Sequence, residues 1–273
     1  MNDSPLIPVE PTRLQETPPP DLPKLIAAIR ARTPARILVG RSGPAYRTAT
    51  QLELRQDHAA ALDAVHAELD LIQDFGQEFV ERWKLFEVRS QAANKTEFLM
   101  RPDLGRRLEE SGRQQVIRLC PPKADLQVVI GDGLSAAAVV AQVPRLLPLL
   151  EEETKSRGWT FGQPFFVRHC RVGILNDIGE ALDLEVAVLL IGERPGLATA
   201  VSLSAYMSYR PRAGHTNAQR NLISNIHERG IPPEAAAKRI ASLAARMREM
   251  DTSGVGVKED LKEPSSTGLL SDC

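Results

Sequence analysis

Apolar residues recur along this chain in two rhythms. From Asp21 to about Val116 they stand three or four apart among charged residues: Leu25, Ile26 and Ile29, then Leu52, Val65, Leu69 and Ile72. That spacing predicts helices that bury one face. Asp21 can cap the first of them, Pro23 is tolerated in its first turn, and Pro34 stops it. A longer helical stretch is predicted over 50–81, and helical character resumes after Arg101-Pro102-Asp103. Residues 23–116 therefore read as a smaller, mainly helical N-terminal region.

After Pro121-Pro122 the rhythm shortens. Leu126 to Ile130 is a β-branched run that predicts a strand, closed by Gly131-Asp132-Gly133. Ser135 then opens an alanine- and valine-rich helix, expected to be interrupted at Pro144 and to resume toward Lys155. A second strand is predicted from Pro164 to His169, followed by a short apolar segment around Ile178 to Leu182. The third, Leu184 to Ile191, is apolar at nearly every position, as in a strand covered on both faces. A fourth, Leu203 to Tyr209, alternates. A helix from Pro233 to Met250 places Ile240, Leu243, Met247 and Met250 on one face. Strands alternating with helices imply an open, mostly parallel α/β sheet over residues 121–254.

The two ends follow neither rhythm. Pro5, Pro8, Pro11, Pro18, Pro19 and Pro20 predict an extended, mobile arm over 1–22. Residues 255–273 show no sustained period and read as a disordered tail.

Composition narrows the function classes. Of 273 residues, 42% are hydrophobic and 25% charged, close to an ordinary globular protein, with no apolar run of membrane length. The 34 basic and 35 acidic side chains nearly cancel, and only 4% of residues are aromatic, which disfavours nucleic acid as a partner. Cys120, Cys170 and Cys273 lie far apart, so neither a disulfide framework nor a zinc clip is indicated. The N-terminus lacks the pattern of a secretory signal, and the expected address is the cytoplasm.

Three segments could carry chemistry. Gly131-Asp132-Gly133-Leu134-Ser135-Ala136 matches a dinucleotide fingerprint in form. No acidic residue follows at the end of the next strand, however, and a tight turn explains the glycines better. Gly192-Glu193-Arg194-Pro195-Gly196-Leu197 begins where the most buried strand ends, the usual place for a ligand in an open α/β sheet. Glu193 can accept hydrogen bonds from a ligand there, or pair with neighbouring charges. The polar run Arg220 to His227 offers amides and a hydroxyl to a ligand, although capping and turn formation suit the same residues. Arg36, Arg41 and Arg47, and Arg101, Arg106 and Arg107, form basic clusters that serve either a solvated surface or an acidic partner. The five histidines show no metal-binding spacing and no pattern that would supply an axial imidazole.

Taken in order, several blocks resemble one family. They are Gly40-Arg41-Ser42-Gly43-Pro44, Arg101-Pro102-Asp103-Leu104-Gly105-Arg106-Arg107-Leu108, Asp132-Gly133-Leu134-Ser135, Pro164-Phe165-Phe166-Val167-Arg168, the Gly192–Leu197 segment, Ser202-Leu203-Ser204 and Ile223-Ser224-Asn225-Ile226. From about Arg36 to Gly254 the chain looks like the small (light) subunit of ethanolamine ammonia-lyase, an adenosylcobalamin-dependent enzyme.

The resemblance implies a Rossmann-like C-terminal domain that covers part of adenosylcobalamin. It also implies a separate large subunit, a (β/α)8 barrel, that holds the substrate in a hetero-oligomer of paired large and small subunits. Cofactor contacts are implied for Val172, Glu193 and Leu222. At Leu222 a relative has cysteine, so a contact through the backbone survives the change and a contact through the thiol does not. Cys170 stands where a relative has glycine, and Ala45 where a relative has arginine. An N-terminal arm that directs the complex into a bacterial microcompartment is a further expectation. The alternative from another class is a non-catalytic corrinoid- or nucleotide-binding module.

Overall fold

The computed structural model describes residues 21–32, 37–195 and 199–259. Its described residues up to Val39 form one compact unit, and those from Gly40 onward a second. In the first, α1 (Leu22–Arg32) begins as its cap predicts, with Asp21 Oδ1 accepting from the Lys24 N–H at 3.4 Å. The predicted arm, apart from its last two residues, lies outside the described residues.

The second unit opens with a hairpin of β1 (Arg41–Ser42) and β2 (Ala45–Tyr46), which turns at Gly43. The helical stretch predicted over 50–81 is three helices, α2 (Thr48–His66), α3 (Leu71–Phe75) and α4 (Gln77–Trp83). Two residues divide it. Asp70 caps α3, its Oδ1 accepting from Ile72 and Gln73 N–H at 3.0 and 2.8 Å, and Gly76, at φ +82°, supplies a backbone angle that disfavours other residues. A strand that periodicity did not predict follows, β3 (Glu87–Arg89), three residues being too few to show an alternation. Next come α5 (Lys95–Met100), a single 3₁₀ turn over Leu104–Arg106, and α6 (Glu110–Leu119).

Strands and helices then alternate: β4 (Leu126–Gly131), α7 (Ala136–Ser156), β5 (Phe165–Arg168), α8 (Ile174–Leu182) and β6 (Val186–Gly192). The chain closes with β7 (Leu203–Tyr209), β8 (Asn221–Ile226) and α9 (Pro233–Glu249). Pro144 does not interrupt α7, which runs unbroken through Pro144 and Pro148. Val139, Val143, Leu146, Leu147 and Leu150 line one buried face of it, and that packing outweighs the hydrogen bonds the prolines cannot donate.

The six-stranded sheet has the order β3-β5-β4-β6-β7-β8. Its first four strands are parallel, whereas β7 and β8 are antiparallel additions at one edge. The fold is α/β with a mostly parallel sheet. Alternate side chains feed two cores. Val128, Ile130, Val188 and Leu190 face α7 and α9, while Val129, Val167, Leu189 and Ile191 face α6 and α8. Every residue of β4 and of β6 is buried, and each large apolar side chain so covered contributes roughly 1.5–3 kcal/mol.

β8 corrects the reading of Arg220 to His227 as caps and turns. Ile223 and Ile226 point into the α9-side core, and that inward anchoring lets the segment pair with β7 despite its polar composition. The residues after Ser253 are held as far as Glu259. Val257 is buried, Asn221 Nδ2 donates to the Gly254 and Val257 carbonyls at 3.2 and 2.7 Å, and Arg239 pairs with Glu259. The rest of the predicted tail lies outside the described residues.

One topological feature places the site. The connection from β4 runs through α7 to β5 on one side, and the chain leaving β6 runs to β7 on the other. Between the carboxyl ends of β4 and β6 the two paths diverge, and a crevice opens there.

Candidate functional site

The crevice is built first by the turn after β4. Gly133 sits at φ +58°, and a Cβ on it would collide with the Gly192 carbonyl oxygen. Only glycine lets the exits of β4 and β6 come so close. Leu134 N–H donates to that same carbonyl at 3.1 Å, and Ser135 caps α7 by accepting from Ala138 N–H at 3.2 Å.

Asp132, 2% exposed, turns inward. Its Oδ2 accepts from His169 N–H at 2.9 Å and its Oδ1 from Cys170 N–H at 2.8 Å. The fingerprint-like glycine segment thus ties the end of β4 to the end of β5, as the tight-turn reading of its glycines implies. Lys95, 7% exposed, lies 4.0 Å from Asp132 Oδ2. Burial pushes the Asp132 carboxyl up and the Lys95 ammonium down, and the attraction between the two opposes both shifts. Asp132 entered the sequence reading only as part of the turn, and its pairing with Lys95 did not show there because β4 and α5 lie far apart along the chain. The clamp fixes His169 and Cys170, and so aims Arg171 and Val172 into the crevice.

On the other side Glu193 leaves β6. Its Oε1 accepts from Ser204 Oγ at 2.6 Å and Asn225 N–H at 3.0 Å, and its Oε2 from Ser202 Oγ at 2.8 Å. Rather than pairing with a neighbouring cation, the carboxylate laces the exit of β6 to β7 and β8, and one lone pair on Oε2 is left over. Gly196 and Leu197 of the same segment lie outside the described residues.

Val172, Glu193 and Leu222 line one cavity of about 420 Å³, together with Leu134, Ser204, Tyr206 and Ser224. The three predicted residues come from the exits of β5 and β6 and from β8, 21 to 50 positions apart. Tyr206 was not anticipated, whereas Ser224 is the hydroxyl that the polar run Arg220 to His227 offered to a ligand. The signal was present in the alternation of β7 and β8, which sends Ser204, Tyr206, Leu222 and Ser224 away from the α9-side core. Burial first, and then the Glu193 charge, pushes the Tyr206 phenol up, so it enters the cavity as a neutral donor. Cys170 also borders it, but burial and Asp132 raise its thiol well above the ordinary range, so it is no nucleophile.

The basic clusters separate. Arg101 pairs with Asp103 at 2.8 Å, and Arg41 stacks on the Tyr46 ring. Arg106 and Arg107 line a second cavity beside the first, and Arg36 lies outside the described residues. Among the described residues no group of three or more His, Cys, Asp or Glu is placed to hold a metal ion, and no helix is long and apolar enough to cross a membrane.

The fold and this crevice define an α/β protein with a candidate ligand site that mixes apolar walls with hydrogen-bonding groups. Comparison with known proteins makes the class specific. The family model described as ethanolamine ammonia-lyase light chain (EutC) matches residues 23–258. The chain is 40% identical over 230 residues to the ethanolamine ammonia-lyase small subunit of Clostridium perfringens, covering 84% of this chain and 76% of that one. The small subunits of Fusobacterium nucleatum and of Listeria monocytogenes, the latter serovar 1/2a, are each 41% identical with the same coverage. The chain belongs to the ethanolamine ammonia-lyase light chain family.

Proposed function

We propose that this chain is the small subunit of an ethanolamine ammonia-lyase and forms one wall of an adenosylcobalamin site shared with a large subunit. The observation that carries the reading is the convergence of Val172, Glu193 and Leu222 on one cavity at the switch point of the sheet. The lining suits such a group. Val172, Leu134 and Leu222 offer apolar surface to a broad ring system. The free Oε2 lone pair of Glu193, the Tyr206 hydroxyl and Ser224 offer partners to its fringe of amides. A cavity of about 420 Å³ is far too small to enclose a corrinoid, as expected of one wall among several.

When bound, adenosylcobalamin supplies a radical by homolysis of its cobalt–carbon bond. This chain's residues bind, orient and exclude water. Glu193 holds β7 and β8 in register at the rim while accepting from the ligand. Val172 and Leu222 close the wall against solvent. Leu222 contributes its side chain: it is 46% exposed in this chain alone, and a partner or cofactor would cover it. The reading places substrate contacts on the large subunit and the complex in the cytoplasm, with microcompartment targeting assigned to the N-terminal arm.

The test is joint reconstitution. Acetaldehyde formation from ethanolamine should require both chains and adenosylcobalamin, and Glu193→Ala should weaken cofactor retention by about 1–3 kcal/mol. Equal activity from the large subunit alone would overturn the proposal.

A further inference from the structure

Beside the crevice lies a cavity of about 700 Å³ that shares Arg171 and Val172 with it and is also lined by Arg106, Arg107, Arg220 and His215. Its cations are packed into place. The Arg171 stem lies over Gly105 and the Arg106 stem over Gly173, in each case where a Cβ would collide. Arg171 stacks on the Phe98 ring at 4.2 Å and donates through Nη2 to the Phe98 carbonyl at 3.2 Å. Arg220 donates to Asn217 Oδ1 at 2.7 Å and Asn176 Oδ1 at 2.8 Å. These partners are neutral. None of the ion pairs between described residues involves Arg106, Arg107, Arg171 or Arg220.

The two carboxylates in the lining are engaged elsewhere. Asp177 accepts from Leu108 N–H at 2.7 Å and faces Arg113 at 3.6 Å, and Glu180 accepts from Ala213 N–H at 2.9 Å. Arg171 Nε, Arg220 Nε and His215 Nδ1 are buried without a hydrogen-bond partner. Burial depresses both guanidinium groups, Arg171 and Arg220, and the charge of Arg106 depresses them further. Unopposed cations in one cavity, with unused N–H groups, call for an anion.

We propose that the cavity lined by Arg106, Arg171 and Arg220 is an anion seat that takes a phosphate group carried by a larger molecule. A carboxylate presents its acceptor sites in a single plane, a poorer match to three guanidinium groups that approach from separate elements. A phosphate presents more acceptors in a tetrahedral array, and about 700 Å³ leaves room for what it is attached to. Two sources share this chemistry: the phosphodiester in the nucleotide tail of a cobalamin lying in the adjoining crevice, and a separate phosphate ester. The seat itself stands on the geometry alone, and only the choice of source rests on the cofactor reading.

Titration of the full chain with inorganic phosphate, followed by calorimetry against a chloride-matched blank, tests the seat. Saturable binding is expected, at least tenfold weaker in Arg220→Gln and in Arg106→Gln. The second variant alters an exposed side chain and guards against a folding defect at Arg220. Absence of saturation, or equal binding by the parent and both variants, overturns the proposal. The source is read in the complex with the large subunit by comparing cobalamin with cobinamide, which lacks the nucleotide tail. If the tail phosphate is seated, Arg220→Gln weakens cobalamin alone, and inorganic phosphate competes with it alone. If the ligand is separate, both corrinoids bind the variant normally while phosphate binding is lost. Should neither corrinoid bind any preparation while phosphate still does, the cofactor reading fails and the seat stands.

Discussion

The two halves of the sheet are built to opposite specifications. In β4 and β6 every residue is buried, with helices on both faces. β7 and β8 are packed by α7 and α9 on one face, while on the other Tyr206, Leu222 and Ser224 border a cavity. The closed half has no surface to offer and holds the fold. The open half gives up part of its apolar cover and gains a wall. Carboxylates lace the strand ends in both: Asp132 ties β4 to β5 by accepting from backbone N–H groups, and Glu193 links the halves by accepting from Ser202, Ser204 and Asn225.

The contrast can be broken at its strongest point first. Asp132→Ala leaves Lys95 buried without its counter-charge and frees the His169 and Cys170 N–H groups. Urea denaturation should show a loss of about 3–5 kcal/mol, and a loss under 1 would mean the clamp holds nothing. Next, equivalent truncations should diverge between the halves. Leu190→Ala, in β6, is expected to cost about 2–5 kcal/mol of stability, whereas Leu222→Ala, in β8, should cost less than about 0.5 kcal/mol and instead weaken cofactor retention. Similar stability losses at both positions would erase the distinction.

The smallest effect concerns alkaline pH. Burial and a 2.6 Å hydrogen bond to Asp251 push the Tyr209 phenol up to about 12. A folded-state value above the unfolded one near 10 keeps this contribution intact below about pH 10 and removes it as pH rises toward 12. Tyr209→Phe should therefore flatten the fall in stability across that window and cost about 1 kcal/mol at neutral pH. An unchanged alkaline slope, read by urea midpoints at several pH values, would assign the loss to other groups, of which the buried Cys120 thiol, also raised to about 12, is the first candidate.

Legibility in the sequence followed the range of the interaction that decides each feature. The runs that became β4, β5, β6 and β7 could be read because strand burial writes itself as consecutive or alternating apolar residues. Ser135 and Asp21 could be read because a cap acts within three positions. β3 and β8 could not. One is too short to show a period, and the other owes its pairing to β7 and its anchoring to α9. Pro144 misled for the same reason, since local chemistry argues for a break and the core of α7 argues against it.

The site divides along that line. By itself the sequence determined an α/β sheet with a loop rich in glycine and charge after its most buried strand, and its ordered blocks determined the family. Only the tertiary structure decided that Val172, Glu193 and Leu222 share a wall, that Asp132 faces inward to Lys95, and that Arg106, Arg171 and Arg220 crowd a single cavity. Hydrophobic periodicity is a one-dimensional record of burial. The meeting of polar groups from separate strands depends on the order of the sheet and on where its connections part, and no local pattern encodes either.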